Sequence, residues 1–317
     1  MSLTRTRTTR RLVGVLAVAA LGLGLGACSS SGASSSAPGT STSGASGPSG
    51  DEKEVSIGIP SGWDEGIAVS YLWKNVMESE GYTVKTTSAD IGVVFTGVAG
   101  NDFDVTFDTW LPLTHASYLK KYGDDMSDLG TWYDNAKLTI AVNEDSPART
   151  IADLKTMADQ YGNRLVGIEA GAGLTEAVQN STIPTYGLDK LDYVISSTPA
   201  MLAELKSATA SGDNIAVTLW RPHWAYDAYP VRDLEDPEGT LGDAEEIHTY
   251  GTKDFAERYP TLAKLLGAFT LTDDQLFSLE NLMFNEDTKK PTEDEAATAW
   301  LEENPDFVTD LKAKAGV

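Results

Sequence analysis

Cysteine is almost absent from this chain. The single residue, Cys28, cannot form an internal disulfide, so stability has to come from hydrophobic cores. Basic residues are also scarce: 24 Lys and Arg stand against 47 Asp and Glu, a formal net charge of −23. A surface that acidic repels nucleic acid and anionic lipid and disfavours a polyanionic ligand. Histidine occurs only at positions 115, 223 and 248, and no pair has the i, i+4 spacing of a helical metal site. There is no Gly-x-Ser-x-Gly elbow and no His-Glu-x-x-His, and no cysteine is left to act as a nucleophile. Adjacent acids such as Glu235-Asp236 and Glu245-Glu246 read as solvated surface. A secreted enzyme is therefore a remote alternative, and no catalytic residue, cofactor or metal is expected. Long apolar runs are missing as well, apart from residues 12–27, which are too short and glycine-rich for a comfortable membrane-spanning helix.

That run explains the lone cysteine. Arg5, Arg7, Arg10 and Arg11 precede it, and it closes on Leu25-Gly26-Ala27-Cys28, a lipobox-like sequence. Residues 1–27 read as a lipoprotein signal peptide and Cys28 as the lipidated first residue of the mature chain. Loss of the four leader arginines takes the net charge from −23 to −27. Residues 29–50 are almost entirely Ser, Gly, Ala, Thr and Pro, a composition that cannot bury a core and behaves as a flexible tether. Residues 28–53 thus form a leash that holds a monomer, through its lipid, at the extracytoplasmic face of the cell membrane.

The remainder alternates strand and helix, with a strand at 54–59, a helix at 66–81, a strand at 82–86 and a helix at 91–99. Later come strands at 103–107, 137–142 and 215–219 and a helical tail opened by two capping boxes, Thr272-x-x-Gln275 and Thr292-x-x-Glu295. Such alternation predicts an α/β fold with parallel-rich sheets covered by helices, built twice. Two segments rhyme: FDVTFDTWLPLTHASY at 103–118 and NIAVTLWRPHWAY at 214–226. Each is a β-branched run that stops at Trp-x-Pro, with a histidine close behind. Proline cannot donate to a ladder, so Trp110 and Trp220 are expected just past the C-terminal ends of two strands, where α/β folds place ligands. One tryptophan from each of two lobes suits a small cation held between aromatic faces. Ring faces and exclusion of water are what such a pair of tryptophans offers a cation. An anionic group needs N–H donors. Gly66 and Ile67 lie where a helix begins, and the free amides and dipole of a helix start favour an anion. His223, three residues after Trp220, is a further candidate donor. His115 and His248 read as structural, and Trp73 and Trp300 as core.

The segments GWDEGIA (62–68), DTWLPLTH (108–115), DLG (128–130), GIEAGAG (167–173), STPAM (197–201), TLWRPHW (218–224), LEDP (234–237) and EIHT (246–249) occur here in one order. The set resembles the glycine betaine/proline betaine-binding lipoproteins of ABC importers, from about residue 54 to the C-terminus. The resemblance implies a two-lobed type II periplasmic-binding fold with a ligand cleft between lobes. Lobe 1 would comprise 54–141 plus 247–317 and lobe 2 would comprise 142–246. It also implies a tryptophan box around the ammonium, backbone amides at a helix start for the carboxylate, and delivery of a small zwitterion to a permease and its ATPase. A third cage aromatic is expected in the C-terminal region, where this chain has Leu271; Phe269 or Trp63 is left to close the box. The altered box keeps choline, carnitine, a sulfonium analogue and ectoine as alternative ligands to glycine betaine.

Overall fold

The structure, a computed structural model, describes residues 51–317; the signal peptide, Cys28 and nearly all of the expected tether lie outside the described residues. The described residues contain nine strands: β1 (Glu54–Pro60), β2 (Thr83–Ala89), β3 (Val105–Leu111), β4 (Met126–Asn143), β5 (Arg164–Val166), β6 (Asp192–Val194), β7 (Ala216–Arg221), β8 (Val231–Asp233) and β9 (Glu245–Thr252). Eight described helices have seven residues or more: α1 (Asp64–Ser79), α2 (Ile91–Ala99), α3 (Ala116–Tyr122), α4 (Thr198–Ser211), α5 (Pro260–Ala268), α6 (Asp273–Phe284), α7 (Glu293–Glu303) and α8 (Phe307–Ala315). Among the described residues no helix is long and apolar enough to cross a membrane.

The strands join in the order β2-β1-β3-β9-β4-β7-β5-β6, with β8 on β4. Alternation in β1 buries Val55, Ile57 and Ile59 on a helix-covered face. β1 pairs parallel with β2 and β3, and β5 pairs parallel with β6 and β7. The expected parallel-rich arrangement holds only at these two ends. In the middle the chain returns as β9 between β3 and β4, antiparallel to both, and β4 also runs antiparallel to β7 and β8. The sheet is therefore mixed.

β4 belongs to two halves of the molecule. Its residues through Ala136 pair with β9, and from Lys137 onward they pair with β7. The expected lobe division at 141/142 falls inside the run already paired with β7. Register shifts interrupt the β9 side of β4 between Asp128 and Gly130, Thr131 and Tyr133, and Tyr133 and Ala136. These irregularities re-aim the strand as it leaves one half for the other.

In the first half, α1 packs against α6 and α7. Trp73 is buried with its ring stacked on Phe107 at 5.9 Å and meets Phe269 edge-on at 5.2 Å. Trp300, 0% exposed, crosses Phe307 edge-on at 5.0 Å. Thr272 and Gln275 complete their capping box at α6. At α7 only half of the box forms: Thr292 Oγ1 accepts the Glu295 N–H at 3.2 Å, while the Glu295 carboxylate takes the Thr292 hydroxyl instead of its N–H.

Candidate functional site

β3 and β7 both run toward one closely walled cavity of about 20 Å³ where the two sheet halves meet. Trp63, Glu65, Trp110, Thr114 and His115 line it from one half; Leu138, Ile168, Ala172, Gly173, Leu174 and Trp220 line it from the other. Trp110 and Trp220 sit within their ladders and not past them, opposite Ile247 and Leu138. The antiparallel neighbours β9 and β4 carry pairing one residue further, to Leu111 and Arg221, before Pro112 and Pro222 stop it.

Carboxylates hold the rings. Trp110 Nε1 donates to Asp108 Oδ1 at 2.8 Å and Trp220 Nε1 to Glu65 Oε2 at 2.9 Å. Trp63 Nε1 reaches Glu169 Oε2 at 3.4 Å, and the adjacent Trp224 donates to Asp64 Oδ2 at 2.5 Å. With each N–H occupied, what the indoles offer a ligand is apolar and π surface. Behind Trp110 a tight turn is fixed on both sides: the Trp110 N–H donates to His115 Nδ1 at 2.8 Å, and the His115 N–H returns to the Trp110 carbonyl at 3.0 Å. His115 also stacks on Trp63, with ring centroids 5.5 Å apart and planes 11° from parallel. Glu245, read from sequence as solvated, is 2% exposed and accepts the N–H groups of Leu113 and Thr114 at 2.7 and 2.9 Å, together with the Thr114 hydroxyl. It clamps the loop that follows Pro112.

Two glycines permit close approach. A Cβ on Gly173 would lie 2.2 Å from the Thr114 carbonyl oxygen, so only glycine lets the two halves touch there. A Cβ on Gly66 would lie 2.4 Å from Asp108 Oδ2, so its absence admits that carboxylate against the first turn of α1.

The electrostatics are one-sided, because none of the residues lining the cavity is Lys or Arg. Burial pushes the Asp64 carboxyl up to about 7, with the Glu169 charge adding to the rise and the Trp224 N–H opposing it. Burial likewise takes Asp108 to about 7, partly offset by the Trp110 N–H. Glu65 rises well above the usual carboxylate range, first through burial and then through the charges of Asp108 and Glu280. Glu280 does so through burial and then Asp64. His115 and His223 are driven by burial down to about 3 and are neutral.

The cavity thus brings together Trp63, Trp110 and Trp220, but not Gly66, Ile67 or His223. The Ile67 N–H is taken by the Trp63 carbonyl at 2.9 Å as the first bond of α1, and Gly66 faces Asp108. His223 lies behind Trp220, edge-on at 4.7 Å. Its Nδ1 accepts the Ala225 N–H at 3.0 Å, and its Nε2 stays 3.7 Å from Asp64 Oδ2. Leu271 and Phe269 do not line the cavity: Leu271 donates its N–H to the Trp132 carbonyl at 3.0 Å, and Phe269 is packed on Trp73. His248 sits in β9 between Asp128 at 3.0 Å and Glu246 at 3.2 Å. Sequence reading missed Glu65, because an acid in the first turn of a helix is ordinary dipole complementarity. It also gave His115 a purely structural role, although the residue both fixes the turn and lines the cavity.

Comparison with known proteins agrees with this architecture. Residues 53–303 match the family described as the substrate-binding domain of the ABC-type glycine betaine transport system. The glycine betaine/carnitine transport binding protein GbuC of Listeria monocytogenes is 35% identical over 156 residues, 49% of this chain and 50% of that protein. The match therefore spans about half the length of this relative. Lactococcal OpuAC, solved in a closed form complexed with glycine betaine, superposes with a TM-score of 0.75 at 30% identity, covering 82% of this chain and 99% of that one. The glycine betaine/L-proline-binding protein ProX of Borrelia burgdorferi gives 0.75 at 28% identity, covering 83% and 100%. A choline-binding protein at 22% identity shares the fold. The cavity lies in the cleft of a two-lobed type II periplasmic-binding fold, and the chain belongs to the family of substrate-binding domains of ABC-type glycine betaine transport systems.

Proposed function

We propose that this protein captures glycine betaine or a related trimethylammonium osmolyte between Trp63, Trp110 and Trp220 and presents it to the permease of an ABC importer. The observation that carries the reading is the convergence of three tryptophans on one small cavity whose lining contains no Lys or Arg. A permanently methylated ammonium matches such a wall, and each desolvated ring contact is worth ~1–2 kcal/mol. The carboxylate of the ligand meets His115: Nδ1 accepts the Trp110 N–H, which leaves the hydrogen on Nε2, and that buried nitrogen has no partner among the described residues. His115 replaces Gly66, Ile67 and His223 as the anion-side donor. Trp63 serves as the third wall. The lobes divide near the change of partner in β4, and the leader and lipobox anchor the mature chain through Cys28 outside the membrane.

A calorimetric panel of glycine betaine, proline betaine, carnitine, choline and ectoine tests the reading, with glycine betaine expected to bind and choline, which has no carboxylate, to bind more weakly. Equal affinities would remove the His115 contact, and failure of every trimethylammonium ligand to bind would overturn the function. One feature supports a second reading, in which choline is the preferred ligand: Glu65 lines the cavity, and a carboxylate there favours net positive charge. Anchoring is checked separately by Cys28→Ser, which should release the protein from the membrane fraction.

A further inference from the structure

The carboxylates behind the rings do more than accept hydrogen bonds. An amide oxygen would accept an indole N–H equally well without placing an ionisable group in a buried site. Yet Trp220 rests on Glu65 and Trp110 on Asp108, residues 2% and 0% exposed. Neither acid has a Lys or Arg partner among the described residues. Among the described residues Asp108 Oδ2 is buried without a hydrogen-bond partner, as are both carboxylate oxygens of Glu280, whose charge acts on Glu65. Burial without a countercharge holds these acids toward their protonated forms, and a permanent cation in the cavity would draw them to the ionised form, the proton passing to solvent. Glu65 itself forms part of the cavity wall, so a cation in the cavity would meet it. A carboxylate that takes an indole N–H also pushes electron density into the ring, which deepens the negative face a cation seeks.

We propose that Glu65 and Asp108 set the preference of this site for a permanently charged ammonium over a neutral group of the same shape. The proposal rests on the functional reading above and deepens it: the tryptophans supply shape and π surface, and the two acids supply the discrimination by charge. It also gives Gly66 a role, because a side chain there would exclude Asp108 from the base of the cage.

The test compares choline with 3,3-dimethylbutan-1-ol, its neutral carbon isostere, and glycine betaine with 3,3-dimethylbutanoate, by calorimetry on the purified protein. The wild type should prefer the ammonium member of each pair by about thirtyfold or more. In Glu65→Gln that ratio should fall about tenfold, equivalent to about 1.4 kcal/mol. Asp108→Asn should lower it in the same direction. Affinity for 3,3-dimethylbutan-1-ol should change less than about threefold in either variant, because both amides still accept the indole N–H. Circular dichroism and tryptophan emission establish that the variants are folded. A ratio unchanged in both would overturn the proposal and leave the acids as ring supports only. A wild-type ratio below about threefold would overturn it whether or not either variant folds. If the wild type binds neither choline nor glycine betaine, the functional reading itself fails, an outcome distinct from the other two.

Discussion

Replacing Trp220 by Ala removes the ring that β7 delivers to the cavity, and its cost divides into two parts that different assays read. Trp220 is 3% exposed, and truncation of a buried tryptophan costs about 3–5 kcal/mol of stability. Part of that loss is the N–H to Glu65 Oε2 at 2.9 Å, which leaves a buried acceptor unpaired at about 1–3 kcal/mol. Both of these costs fall on free and bound protein alike and leave Kd unchanged. Binding loses only what the ring gives the ligand, about 2 kcal/mol of desolvated cation–π attraction and about 1 kcal/mol of apolar contact. A total near 3 kcal/mol weakens Kd about 150-fold. Trp220→Phe keeps a ring face and should lose about tenfold. Trp300→Ala is the control: Trp300 is 0% exposed and packed on Phe307, so stability should fall by a similar amount with Kd within about twofold of wild type. Urea titration reads the first quantity and isothermal calorimetry at low temperature the second. A folded Trp220→Ala that binds glycine betaine within about threefold of wild type would refute the cage, as would equal weakening in Trp300→Ala.

Three further outcomes follow from the buried groups and the hinge. Asp64 and Asp108, raised to about 7 by burial, hold protons in the folded state that the unfolded chain has already released. Their contribution is complete below about pH 4 and is lost as pH rises through 7. His115 and His223, lowered to about 3, act in the opposite sense but only below their unfolded pKa of about 6.5. Between pH 6.5 and 8 the Tm of the ligand-free protein should therefore fall, less steeply in Asp108→Asn, and a rising Tm would contradict the assignment. Gly66→Ala places a Cβ 2.4 Å from Asp108 Oδ2; despite alanine's better helix propensity it should cost about 1–3 kcal/mol by urea titration, and a stabilised variant would count against the contact. Lobes that move about β4 should close on the ligand, so small-angle scattering should show a smaller radius of gyration with saturating glycine betaine, and no change would argue against a hinge.

The strands that carry the sheet were legible because β1 alternates its apolar residues and β3 and β7 are short, buried, β-branched runs closed by Trp-x-Pro. β9 was not: its sequence EEIHTYGT mixes acids, histidine and glycine, and only its position between β3 and β4 makes it a strand. The first half of β4 escaped for the same reason, since DLGTWYDN interrupts any period of two and its register shifts absorb the irregularity. Trp110 and Trp220 were expected just past strand ends because of the proline two residues on, and both strands instead run one residue beyond the tryptophan because their antiparallel partners were not foreseen. The anion side is not legible in the sequence for a geometric reason. Which amides at a helix start are free depends on where the first intrahelical bond closes, and the bond from Ile67 to Trp63 starts α1 at Asp64, two residues before the helix start expected at Gly66. Trp63, one of three candidates for the third wall, lines the cavity because it stands at the N-cap of α1, directly against His115.

A crystal structure of the protein with glycine betaine bound bears most directly on the central assignment. The trimethylammonium nitrogen should lie within about 6 Å of the ring centroids of Trp63, Trp110 and Trp220, with a carboxylate oxygen about 3 Å from His115 Nε2. Ligand density outside this cavity, or an ammonium group facing none of the three rings, would contradict it.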